Sequence, residues 1–286
     1  RPPTVTEASG FGVADGCRCG RDNPRVHYDD IMRAGHGMCD ADVVNTLVNN
    51  ALGTIDELEG FGVQFERDGE GRYLVSQGCF GSLPRNYNLR GHGTKIIRAL
   101  QNQLDERTVI LEDTMVADLT VRDGRCVGAA AIDRSGGVTL IAAGAVVMAC
   151  GGAGQLFKFA LNPAEMTGDS YALGYLAGAK LENMEFMQVG MGVLAPGTSI
   201  LNSWIWSVHP DVRDKNGDPV YPPVFEDGMT LEAAMDAKSV HYPFSSESAS
   251  RNIEIYMQRA IAAGRGCRHG GVTLDARAAL KTRQNG

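Results

Sequence analysis

The sequence predicts an α/β fold, and three observations carry that expectation. Alternating strands joined by glycine turns form a three-strand meander over residues 116–142. An apolar run, Ala145–Ala149, follows it and ends in Gly151, Gly152 and Gly154. Segments of helical period stand before and after this block.

The elements follow in chain order. Residues 1–26 are rich in Gly and Pro and show no helical period. Tyr28–Ala34 can form a short helix. Asp40 stands where an N-cap belongs, and Val43, Val44, Leu47, Val48, Ala51, Leu52, Ile55 and Leu58 then recur at three- and four-residue spacing. Gly60 and Gly62 stop that helix. Residues 66–93 hold many turn formers and read as loop. A second helix is expected over Thr94–Leu104, with Ile96, Ile97, Leu100 and Leu104 inward. Val109–Leu111 is a short apolar run. The meander comprises Val116–Val121, the turn Arg122-Asp123-Gly124-Arg125, Val127–Ile132, the turn Ser135-Gly136-Gly137, and Val138–Ala142. Ala145–Ala149 reads as a strand buried on both faces. Ser170–Lys180 returns to helix.

From Pro196 the composition shifts. Pro196, Pro210, Pro219, Pro222, Pro223 and Pro243 gather with both tryptophans, Trp204 and Trp206, which places a boundary near 197. Two domains are therefore expected, 1–197 and 198–286. Ser250–Ala263 is a further helix, with Ile253, Tyr256, Met257, Ala260 and Ile261 on one face.

Composition excludes several classes. The formal net charge is −7, which argues against a general nucleic-acid binder. The 36 glycines are about twice the usual share but have no three-residue period, so the chain is not collagenous. Seven cysteines without a CxxC pair read as free thiols in a reducing compartment, so a cytoplasmic location is expected. The longest uncharged stretch, Ser135–Phe157, is broken by glycines and reads as two strands and a turn, so no transmembrane segment is expected.

Two local patterns can carry chemistry. Ala149-Cys150-Gly151-Gly152-Ala153-Gly154 leaves bare backbone at the end of a strand, where phosphates or a ring can approach and amide N–H groups can donate. The same residues also suit a tight turn with no ligand. Thr167-Gly168-Asp169 opens the next helix. Its Asp serves either as a simple cap or as a carboxylate for a ribose or ring edge. Both loops fall at one end of the expected sheet, where ligands bind in open α/β folds. A meander feeding such a strand points to a dinucleotide-binding flavoprotein.

These residues resemble a family. Val147-Met148-Ala149-Cys150-Gly151-Gly152-Ala153-Gly154-Gln155, Asn162-Pro163, Thr167-Gly168-Asp169, Ala177-Gly178-Ala179 and Met184-Glu185-Phe186 resemble the flavoprotein subunits of fumarate reductase and succinate dehydrogenase. His27-Tyr28-Asp29-Asp30 with Arg33-Ala34-Gly35 is similar to an upstream block of that family, and Thr4–Gly12 to its flavin-contacting loop. The resemblance spans residues 4–190 and thins toward 275.

The resemblance implies a partial FAD-binding dinucleotide fold over 1–197 and part of an α+β capping domain over 198–286. It implies that Thr4, Ser9, Gly10, Val116, Ala149, Gly151, Gly152 and Asp169 line FAD, Val116 through its backbone near the adenine. Relatives with covalent flavin carry a His before the Thr of the opening loop; Pro3 stands here, so non-covalent FAD is expected. Arg251, in Ser248-Ala249-Ser250-Arg251-Asn252, falls where the family has its proton-donating Arg. A lone Arg is ordinarily a solvated surface residue, and arginine is a poor acid near neutral pH unless its site is enclosed and a second group relays the proton. The implied reaction moves hydride between FAD and a C=C or C–C bond next to a carboxylate. The implied partner is a small unsaturated carboxylic acid, with an electron donor or acceptor that the residues do not identify.

The chain also departs from the pattern. Gly190 stands where relatives carry a substrate-binding His, and Leu201-Asn202-Ser203-Trp204-Ile205-Trp206 replaces the family's downstream acidic and Arg residues. Two Trp there suit an aromatic or bulky unsaturated acid rather than a small dicarboxylate, or simply pack domain against domain. His209, His241 and His269 have no metal-ligand spacing, and no metal is expected. The family's GxGxxG strand belongs before Thr4 and its second half after Asp275, so the chain is expected to be an internal piece of a longer flavoprotein. Two rival readings stand beside the reductase: an amino-acid oxidase of the same class, such as an aspartate oxidase, and a non-catalytic remnant serving as an interaction module.

Overall fold

A computed structural model describes residues 22–277 except His92. Thr4, Ser9, Gly10 and Pro3, and with them Cys17 and Cys19, lie outside the described residues. The chain divides into two compact units between Asn183 and Met184, ahead of the composition shift near 197.

In the first unit, helix α1 spans Pro24–Ala34. Asn23 caps it by accepting from Arg25 N at 3.0 Å and Val26 N at 3.1 Å, and Pro24 opens it with its φ already set. The helix thus starts four residues before the expected Tyr28. Helix α2, Ala41–Gly60, has Asp40 as its predicted cap, accepting from Asp42 N at 2.9 Å and Val43 N at 3.1 Å. Val44, Val48, Ala51, Ile55 and Leu58 turn inward. Val43 and Leu47, expected on that face, are exposed, because one helical stripe is too narrow to bury all eight positions.

The segment read as loop over 66–93 holds short antiparallel pairs. Strand β1 (Val75–Ser76) pairs with β2 (Asn86–Tyr87), and Phe65 bridges to Leu89 and Arg67 to Tyr73. Pairs this short carry no alternation for a sequence to show. They set Phe65, Tyr73 and Tyr87 edge to face, with ring centroids 4.8–6.3 Å apart. Helix α3, Thr94–Gln101, adds Ile96 and Ala99 to this core. Ile97, Leu100 and Leu104, expected inward, are exposed, and the helix ends before Leu104.

The meander forms as predicted: β3 (Thr114–Arg122), β4 (Arg125–Asp133) and β5 (Val138–Ala142) are antiparallel neighbours. Asp123 at φ 50° and Gly124 at φ 73° make the two-residue left-handed turn that matches strand twist. Asp133 closes the second turn by accepting from Ser135 N at 2.8 Å and Gly137 N at 2.9 Å.

Ala145–Ala149 is not a buried strand. It forms no ladder, and Val147 is 89% exposed. A strand of a parallel sheet takes both its hydrogen bonds and its burial from neighbours, and none pairs with this run among the described residues. Helix α4 spans Asp169–Leu176, shorter than the expected 170–180 because Ala177 caps it and Gly178 takes φ 92°.

The second unit begins with β6 (Gly192–Val193) paired to β7 (Ser199–Ile200), then a 3-10 turn, Ser203–Val208. Strand β8 (Asp211–Arg213), helix α5 (Leu231–Ser239), helix α6 (Arg251–Ala260) and strand β9 (Thr273–Asp275, paired with β8) follow. Trp206, Val212, Val220, Phe225, Ala234, Met235, Ile253 and Ala260 form its core. Trp206 and Ile253 are wholly buried. Burial of a large apolar side chain contributes about 1.5–3 kcal/mol, which accounts for Trp206 as core.

Candidate functional site

The loops 149–156 and 162–169 are stapled together in the first unit. Gln155 N donates to Met166 O at 3.1 Å, and Gln155 Nε2 to Asn162 O at 2.6 Å. Glycine is required where they touch. A Cβ on Gly154 would lie 2.1 Å from Asn162 Oδ1. Gly168 takes φ +85°, and a Cβ there would lie 2.8 Å from Ala153 Cβ. Gly151 takes φ +74° at the end of the exposed 145–149 run. The result is a largely exposed backbone cradle at Ala149–Gly152, with Gly152 half-buried and the Met166 side chain against both glycines.

Asp169 is the first residue of α4, not its cap. Gly168 caps the helix, and Asp169 Oδ2 accepts from Thr167 Oγ1 at 2.5 Å. Its carboxylate is exposed and sits where a helix N-terminus favours negative charge. Helix α4 lies beside β3, which carries Val116 at a bulge between Val116 and Asp118. The 149–154 loop, the helix start at Asp169 and the strand that carries Val116 are thus neighbours in this unit. A dinucleotide needs close backbone approach at its phosphates and an acceptor for its hydroxyls, and this donor set meets both needs. An open groove of about 480 Å³ lies elsewhere in the unit, lined by Glu59, Val63, Phe65, Arg67 and Arg90. None of the sequence-predicted site residues lines it.

The His27–Gly35 block does structural work. Arg85 donates to Asp22 Oδ2 at 2.7 Å and Oδ1 at 2.9 Å, and to Asp30 Oδ2 at 2.5 Å. Asp30 also accepts from Ser82 N and Oγ and from Arg33. Burial alone would raise the Asp30 carboxyl, but hydrogen bonds from Ser82 and Arg85 overcome it and hold it well below the carboxylate range. His27 is lowered, by burial first and then by the Arg85 charge. These residues clamp α1 to the 80–85 loop.

In the second unit Arg251 opens α6. Its Nη2 donates to Asp227 Oδ2 at 2.9 Å, and Asn252 Nδ2 donates to the same oxygen at 3.0 Å. Hydrogen bonds from Asn252 first and then from the Met229 backbone, with a smaller part from the Arg251 charge, lower the Asp227 carboxyl. The guanidinium side chain is 36% exposed, so it is oriented but reachable. Asp227 was not legible in the sequence, since it reaches Arg251 across 24 residues. Gly190 lies under Tyr242: a Cβ there would fall 2.6–2.7 Å from the ring. Trp206 is core, while Trp204 is 48% exposed. His209 is tied to Asp236 at 2.7 Å, and no metal-binding cluster occurs among the described residues.

The comparisons identify the family. Residues 6–202 match the FAD binding domain family. The chain is 30% identical to a chain of the fumarate reductase (CoM/CoB) of Methanothermobacter marburgensis over 278 residues, covering 93% of this chain and 47% of that one. It is 33% identical to the L-aspartate oxidase of a Nostoc species over 171 residues, covering 58% of this chain and 29% of that one. Among solved structures, Mycobacterium smegmatis Sdh1 in complex with UQ1 matches with a TM-score of 0.77 at 25% identity, covering 97% of this chain and 47% of that one. The chain belongs to the FAD-binding flavoproteins of the fumarate reductase and succinate dehydrogenase family. Its cofactor is FAD, and its fold is the family's α/β fold. It spans about half the length of the fumarate reductase chain and of Sdh1.

Proposed function

We propose that this chain serves an FAD-dependent oxidoreductase acting on a C=C or C–C bond next to a carboxylate, with Arg251 as its proton donor. The observation that carries the reading is Arg251 itself. It stands at the first position of α6, held by Asp227 at 2.9 Å and still partly open. When bound, FAD supplies or accepts the hydride at one carbon. Arg251 brings a proton to the other carbon, and its planar fork orients the neighbouring carboxylate. Asp227 keeps the guanidinium in one direction and is the group placed to relay a proton back to it after donation. In the first unit Ala149, Gly151, Gly152 and Asp169 hold the cofactor with Val116 near its adenine; the family resemblance assigns further cofactor contacts to Thr4, Ser9 and Gly10, which lie outside the described residues. With Pro3 before Thr4, the FAD is non-covalent. The domains are assigned as 1–197 for FAD and 198–286 for the cap.

The substrate is a small unsaturated carboxylic acid. Burial of Trp206 removes half of the argument for a bulky one and leaves Trp204. The similarity to L-aspartate oxidase supports a second reading, oxidation of an amino acid. The free thiols Cys39, Cys126, Cys150 and Cys267 suit a reducing compartment, and we place the protein in the cytoplasm. No helix among the described residues is long and apolar enough to cross a membrane.

The test has two stages. Acid denaturation of the flavin-loaded protein releases free flavin if the cofactor is non-covalent. Anaerobically reduced protein is then mixed with fumarate or cinnamate, and in parallel the oxidised protein is mixed with L-aspartate and oxygen. Reoxidation of the flavin by an unsaturated acid supports the reductase. Turnover of L-aspartate alone supports the oxidase and overturns the reductase. Arg251→Ala is expected to keep its flavin while reoxidation slows by at least about 10²-fold, the low end for a positioned acid. Parent-like rates in that variant refute the role of Arg251.

A further inference from the structure

Lys238 is wholly buried, on the inner face of α5 beside Ala234 and Met235. Its ammonium donates to Glu254 Oε1 of α6, to Tyr242 O at 2.7 Å and to Pro243 O at 3.2 Å. Three acceptors use all three of its N–H groups. One nitrogen therefore joins α5, segment 241–244 and α6.

Segment 241–244 is itself laid on residues 189–191. Gly190 bridges to Pro243, Phe244 N donates to Val189 O at 2.9 Å, and Tyr242 Oη donates to Met191 O at 3.0 Å. The absence of a side chain at Gly190 is what admits the Tyr242 ring. Glu254 follows Arg251 by three residues, one turn along the same helix.

A buried ion pair is a poor way merely to hold two helices together, because well-packed apolar residues do so at no desolvation cost. That cost is visible here. Burial pushes the Glu254 carboxyl up even beside Lys238, and Glu254 Oε2 has no hydrogen-bond partner. The Tyr221 hydroxyl is also buried and unpartnered, and it is pushed up by burial and by the Glu254 charge. An apolar pair could not donate to the Tyr242 and Pro243 carbonyls, and that is the task the ammonium performs.

We propose that Lys238 is a positioning residue: it fixes the helix that begins at Arg251 against segment 189–191, so that both present a constant geometry to the substrate. The inference rests on the reading of Arg251 as proton donor. It assigns to Lys238 no contact with the substrate.

The test uses the flavin-loaded protein and whichever of fumarate or cinnamate reoxidises its reduced flavin faster. Lys238→Met strands Glu254, so the informative variant is the double one, Lys238→Met with Glu254→Leu, which removes both charges and keeps the apolar volume. It is expected to melt close to the parent and to keep its flavin and KM, while kcat falls about 10- to 100-fold, as for a misplaced catalytic group. Amide exchange at Phe244 and Ile253 should accelerate. Recovery of both melting temperature and kcat in the double variant overturns the proposal, since the pair then only joins helices. If the double variant fails to fold, Lys238→Met with Glu254→Gln also removes the ammonium and both charges and should lower kcat likewise; parent-like kcat there overturns the proposal equally. Parent-like turnover in Arg251→Ala overturns the functional reading and this inference with it. An inactive Arg251→Ala beside a fully active double variant overturns the role of Lys238 alone.

Discussion

Arg85→Met isolates the clamp that holds the first unit's N-terminal helix. The Arg85 side chain is 5% exposed, Asp22 is 0% and Asp30 is 5%. Methionine fills much of the volume but removes three charge-assisted hydrogen bonds, two to Asp22 and one to Asp30. Asp30 keeps Ser82 N at 2.8 Å, Ser82 Oγ at 2.9 Å and Arg33 at 2.5 Å. Among the described residues, Asp22 is left with Asn23 N at 3.1 Å. Asp22 is thus the stranded charge, and breaking a buried pair in this way costs about 3–5 kcal/mol at pH 7. The penalty should shrink on acidification, because the two carboxyls can neutralise by taking up protons. The His27 imidazole should titrate higher in the variant, since the Arg85 charge is the second cause that lowers it. Both tryptophans lie in the second unit, so the assay is urea melting followed by tyrosine near-UV circular dichroism, with hydrogen exchange across α1. A loss below about 1 kcal/mol that stays flat between pH 4 and 8 would mean that the cluster behaves as a surface ion pair, and the reasoning fails.

Two further outcomes follow from the same structure. The lowered His27 imidazole means that the native state binds fewer protons than the unfolded one just below pH 6.5, so stability is present above that value and declines as pH falls through it. His27→Gln should flatten that part of the profile, and an unchanged slope by urea titration between pH 5 and 7 would refute the assignment. Gly190→Ala places a Cβ 2.6–2.7 Å from the Tyr242 ring and should cost about 1–3 kcal/mol by overpacking. Adding Tyr242→Ala to Gly190→Ala should relieve the overpacking, and a double-mutant cycle without coupling would show that the contact is slack.

Local chemistry was legible in this sequence and long-range chemistry was not. The meander could be read because alternation and the turns at Asp123-Gly124 and Ser135-Gly136-Gly137 sit within a few residues of one another. Asp40 could be read as a cap because its acceptors' donors are two and three residues away. The run Ala145–Ala149 has a strand's composition, but burial depends on neighbours that composition cannot name, and Val147 is 89% exposed. The 66–93 region hid its pairing because bridges of one or two residues have no period.

The two candidate sites divide along the same line. The cradle at Ala149–Gly152 and the Thr167-Gly168-Asp169 turn are backbone features, so the glycines themselves announce them. Arg251 was reached through its motif and its helix start, yet what orients it comes from elsewhere in the chain. Asp227 sits 24 residues upstream, and the Lys238–Glu254 pair spans 16. The Arg85–Asp22 pair spans 63. Lys238 did leave one signal: it repeats the inward spacing of Ala234 and Met235, where an apolar residue belongs. A charge on an apolar stripe must find a partner or shift its ionisation. That rule turns an apparent error in a helical pattern into a search for a buried carboxylate, and α6 supplies one at Glu254, one turn from Arg251.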